Sequence, residues 1–106
     1  MATMTDEAML ELVATTKDYS IMILRSGPKR HQPNIERRRN LELRAENKIA
    51  IVCPVTDDSD VCGLCIFNTE PNETQRIMEG DPGVQAGVFL FELHPCRGFP
   101  GDSLPA

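Results

Sequence analysis

The chain has 106 residues, 41% of them hydrophobic and 25% charged, enough for one domain with a single core and not for two. These proportions exclude a disordered or fibrous chain. A formal net charge of −5 argues against a nucleic-acid partner, because phosphate binding needs a basic field; the run Lys29, Arg30, Arg37, Arg38, Arg39 is offset by Glu36, Glu42 and Glu46 and reads as a solvated, salt-bridged helix face.

Residues 1 to 12 carry neither a basic segment nor an uninterrupted apolar run, and the longest apolar stretches are only strand-sized. No signal peptide, anchor or membrane span is expected. Four cysteines without an export signal point to a reducing, cytoplasmic setting in which thiols act as small buried hydrophobes.

Asp6 to Thr15 predicts a short helix, with Met9, Leu10, Leu12 and Val13 as an apolar stripe and two acidic residues in its first turn. Residues 1–16 are read as an N-terminal extra to the domain proper. Tyr19 to Ser26 predicts a strand built on Ile21, Met22, Ile23 and Leu24 and closed by Gly27-Pro28. Pro33 suits the first turn of a helix running to about Asn47. Ile49 to Val55 and Val61 to Asn68 are two strands joined by a polar hairpin loop, Thr56 to Asp60. Pro71 opens a further helix, which carries Ile77 and Met78 inward and stops at Gly80 in a left-handed cap. Asp81 reads as the N-cap of a single turn with Pro82 at its first position, ended by Gly87 before a strand from Val88 to His94. Residues 17–95 form the domain, and 96–106 an irregular Pro/Gly tail.

After the extra helix the order is β-α-β-β-α-β. This is the split βαβ arrangement of the ferredoxin-like α+β fold, a four-stranded antiparallel sheet with its helices on one face. Strand alternation places Phe89, Phe91 and Leu93 on one side and Val88, Leu90, Glu92 and His94 on the other, and it likewise divides Met22 and Leu24 from Ile21 and Ile23. Helices can hide only one of these apolar sets, so a second copy of the sheet is the expected cover and a homodimer the expected state.

Two segments carry a resemblance. Asp81-Pro82-Gly83-Val84-Gln85-Ala86-Gly87, followed by a strand ending His94-Pro95, is similar to a "D-P-x-V-x-A-G" turn leading into a strand that ends "H-P". Cys53-Pro54-Val55-Thr56-Asp57-Asp58 followed by Gly63-Leu64-Cys65-Ile66-Phe67 is similar to a hairpin leading into a "G-x-x-I-F" strand. Over residues 19–94 the chain resembles the YCII-related family of the dimeric α/β barrel superfamily. The resemblance implies a dimer with a pocket near the sheet–sheet interface and an Asp and a His as an acid–base pair. This sequence departs from the pattern in the helix after the first strand, where Ile35-Glu36-Arg37 puts Glu36 in the place of the family's His; His31 reaches the same region only if residues 28–33 fold back.

The acid–base candidates are therefore Asp81, His94 and Glu36. Asp81 as a general base competes with its own role as a cap, and His94 with that of a strand-end residue bonded to backbone. Glu92, acidic among apolar neighbours, is expected either to pair with a cation, for which Arg25 and Arg38 are the candidates, or to face water at the end of the sheet. Arg38, placed on the wheel between Ile35, Leu41 and Ala45, reaches a pocket to bind an anionic ligand or else pairs with Glu42. Cys62-Gly63-Leu64-Cys65 has redox or zinc spacing, but on a regular strand the two thiols fall on opposite faces, and no metal or other cofactor is expected.

The leading expectation is a small-molecule-binding protein acting on an anionic or aromatic ligand by cofactor-free proton transfer at the dimer interface. The alternatives are a noncatalytic binding or accessory protein and, by fold analogy alone, a cofactor-free monooxygenase.

Overall fold

The computed structural model describes residues 3–28 and 33–106, and the side chains of all of these except 33–37. The elements are α1 (Asp6–Val13), β1 (Lys17–Ser26), α2 (Pro33–Ala45), β2 (Ile49–Pro54), β3 (Val61–Phe67), α3 (Pro71–Glu79), the single turn α4 (Pro82–Gln85) and β4 (Phe89–Gly98). The strands pair antiparallel throughout in the order β2-β3-β1-β4. This is an α+β architecture compatible with ferredoxin-like topology, with β1 and β3 central and β2 and β4 at the edges. No helix among the described residues is long and apolar enough to cross a membrane.

One face of the sheet carries the core. Met22 and Leu24 of β1, Ile49 of β2, Cys65 and Phe67 of β3 and Phe89 of β4 meet Leu43 of α2 and Met78 of α3, all buried. Alternation along β1 puts Ile21, Ile23 and Arg25 on the other face, where the register sets them opposite His94, Glu92 and Leu90 of β4 and, for the two isoleucines, Ile66 and Leu64 of β3. Nothing among the described residues covers this face. The isoleucines are only partly buried and Leu90 is exposed.

β4 extends past His94, where the sequence predicts an irregular tail, and continues to Gly98 by pairing Pro95–Gly98 with Lys17–Ser20. Pro95 is tolerated because β4 is an edge strand, where a missing N–H need not break a ladder. Arg97 fastens the extension: its guanidinium donates to Thr16 Oγ1 at 2.9 Å, the Thr16 carbonyl at 2.8 Å and Asp18 Oδ1 at 2.9 Å.

This two-stranded ribbon runs beyond β3 and carries α1 at its end. α1 is capped by Thr5, which accepts from the Ala8 N–H at 3.1 Å, yet none of its residues is buried. The projecting ribbon and helix fit a radius of gyration of 15.8 Å, against about 13 Å for a compact chain of this length.

Two smaller expectations also fail. Gly80 closes α3 in right-handed geometry (φ −86°) rather than a left-handed cap, because the Asp81 N–H bonds to the Met78 carbonyl and the chain passes directly into α4. Val88 precedes β4 and packs into the core instead of joining Leu90 and Glu92 on the open face.

Candidate functional site

Of the acid–base candidates, Asp81 and His94 do not converge. Asp81, extended (φ −68°, ψ 128°) and only 1% exposed, caps α4 on the helix side, its Oδ2 accepting from the Val84 N–H at 3.1 Å. Its Oδ1 is buried with no hydrogen-bond partner among the described residues. The rest of that segment is structural too: Pro82 begins the turn, and Gly87 at φ 77° takes a left-handed conformation that a side chain would strain. Gly27 packs against it, its N–H donating to the Val88 carbonyl at 2.8 Å, with no room for a Cβ, which would run into the Gly87 carbonyl oxygen. Of the other candidates, the side chain of Glu36 and the whole of His31 lie outside the described residues.

His94 lies across the sheet from Asp81. On the open face, Asp60, Arg25, Glu92 and His94 form a hydrogen-bonded row. Arg25 donates through Nη1 to Asp60 Oδ1 at 3.1 Å and through Nε to Glu92 Oε1 at 2.9 Å, and Glu92 Oε2 stands 2.8 Å from His94 Nε2. The hydrogen bonds from His94 first and Arg25 second hold the Glu92 carboxyl below its ordinary pKa, so it is ionised at neutral pH and can only accept. The hydrogen between the two groups therefore sits on His94 Nε2, which donates to the carboxylate. The arginine sought for Glu92 is Arg25, whose own pKa is raised chiefly by its hydrogen bond to Glu92.

Arg38 is the wrong arginine. Its side chain is exposed and makes no ion pair among the described residues, with Glu42 or any other group. The wheel argument missed because the helix presents Asn40, Leu41 and Arg44, not Arg38, to a cleft of about 410 Å3 between α2 and the sheet.

Leu24, Val52, Cys62, Cys65 and Phe89 line the same cleft from the sheet side. The expectation that Cys62 and Cys65 point to opposite faces fails because of a β-bulge. The register passes from Leu24 opposite Gly63 to Arg25 opposite Val61, which leaves Cys62 as the extra residue and turns it toward the helices, its Sγ 3.4 Å from Ser26 Oγ. Among the described residues no three His, Cys, Asp or Glu side chains are gathered where they could hold a metal ion.

No protein-family model, no curated protein and no solved structure matches the chain. Fold and site together define a small α+β protein with one covered and one open sheet face, a charged row on the open face and an apolar cleft beneath a helix.

Proposed function

We propose that the protein works as a homodimer whose open sheet faces pack together, and that it binds a small molecule at the margin of that interface, with His94 moving a proton. The observation that carries this reading is the row Asp60–Arg25–Glu92–His94 on an otherwise apolar, uncovered sheet face. A symmetric partner is the economical cover for a face of that composition. Packing there would draw the row into a less polar medium, where a carboxylate–imidazole pair orients and strengthens the histidine as a base. The resemblance to the YCII-related family and its dimeric barrel is part of the same proposal, with Glu92 rather than Asp81 as the carboxylate partner of His94.

A noncatalytic binding role is the second reading, and one observation favours it: Asp81 is committed to capping α4 on the far side of the sheet from His94.

Ring NMR of the two histidines, assigned with a His94→Ala variant, tests proton handling with phenol as the probe. The proposal expects phenol to shift the His94 ring signals in the wild type and much less in Glu92→Gln, where the tautomer is no longer fixed. Ring signals unmoved at millimolar phenol in the dimeric protein would retire the acid–base role and leave the binding role.

A further inference from the structure

We propose that the cleft beneath α2 is a second ligand site, one in each protomer, for a small hydroxy acid with an apolar body, such as a hydroxyaryl carboxylate. The site shares nothing with the charged row on the open face. At about 410 Å3 it falls in the size range of small-molecule sites, and like them it pairs apolar walls with a few polar groups. The walls are Leu24, Val52 and Phe89.

Two polar residues of α2 face them. Asn40 is 8% exposed, and its Oδ1 is buried without a hydrogen-bond partner among the described residues. A buried amide oxygen left unpaired is costly, which is why such groups are nearly always satisfied, and a ligand O–H would satisfy this one. The side chain of Arg44, one helical turn further on, makes no hydrogen bond or ion pair among the described residues, although it stands at the edge of the apolar cleft. Its guanidinium is a ready partner for a carboxylate.

The i, i+4 spacing separates the two groups by about 6 Å at their Cβ atoms. A ligand bridging them needs an O–H donor and a carboxylate at opposite ends of a short rigid body. The thiols of Cys62 and Cys65 add soft, weakly polar surface that suits an aromatic ring.

The test is calorimetric titration of the intact protein with 4-hydroxybenzoate, and with benzoate as the analogue lacking the hydroxyl. Expected are one site per chain, benzoate binding at least tenfold more weakly, and a tenfold or greater loss for 4-hydroxybenzoate in Arg44→Gln. Val52→Phe, which fills the cleft, should abolish binding; the exposed Arg44→Gln change keeps the test valid if the filled variant does not fold. His94→Ala should bind as the wild type does. Absence of 4-hydroxybenzoate binding at millimolar concentration overturns the inference, as does affinity unchanged by Arg44→Gln. Binding lost in His94→Ala would overturn it too, moving the ligand to the open face and leaving the proposed function standing.

Discussion

Glu92 Oε2 stands 2.8 Å from Nε2 of His94, two residues along the same face of β4, because residues i and i+2 of a strand share a face. The pairing is therefore local and does not depend on a distant loop. The distant element is Arg25 across the ladder, which anchors the other carboxylate oxygen at 2.9 Å and stops Glu92 from turning away.

This arrangement predicts a pH dependence. The folded pKa of Glu92 lies below its ordinary value, so folding favours the ionised form. The contribution to stability is fully present above the ordinary glutamate value of about 4.3 and is lost as pH falls through the lower folded value. Thermal melts between pH 3 and 7 should show wild type above Glu92→Gln at neutral pH and the two converging in acid. A constant gap across the range would show that the pairing contributes nothing electrostatic.

Asp81 is predicted to act as a cap. Asn supplies the same acceptor oxygen to the Val84 N–H, so Asp81→Asn should change stability by under about 0.5 kcal/mol. Asp81→Ala removes the acceptor and should cost about 1 kcal/mol in urea unfolding. Equal losses in the two variants would show that the charge, not the cap, is what matters there.

Gly27 is predicted to be the least replaceable glycine of the sheet side. A methyl group there would meet three backbone atoms within 3 Å, the Gly87 carbonyl oxygen among them, and backbone cannot yield as a flexible side chain does. Gly27→Ala should cost about 1 to 3 kcal/mol, the range for forcing atoms into a packed interior. At Gly63 the added group would lie 3.4 Å from its nearest neighbour, and Gly63→Ala should be nearly neutral. Similar unfolding midpoints for both variants would contradict the close packing of Gly27 against the Asp81–Gly87 segment.

Much of the fold was legible because its signals are local. The apolar run at residues 21–24, the hairpin loop at 56–60 and the prolines at 33, 71 and 82 each mark a boundary without reference to the rest of the chain. The Asp81 cap was legible for the same reason.

What escaped depends on pairing. The extension of β4 to Gly98 requires Lys17–Ser20 as partner and Arg97 as fastener, and Pro95 masked it. The placement of Cys62 beside Cys65 rests on a bulge against β1 that no periodicity within residues 61–67 records. The choice of Arg44 over Arg38 depends on how α2 rotates over the sheet, and the helix is polar around most of its circumference, so its sequence specifies that rotation weakly. Asn40 carried no signal beyond being a polar residue one turn before Arg44.

A second copy of the chain is expected to cover the open face. The direct measurement is sedimentation equilibrium of the wild type and Ile23→Lys at micromolar concentration. Ile23 sits amid that face, between Leu64 and Glu92, and an ammonium cannot be buried there without large cost. Wild type is expected to sediment at twice the 11.8 kDa mass of the chain, and the variant, still folded by circular dichroism, as the monomer. A wild type that sediments at 11.8 kDa would contradict it.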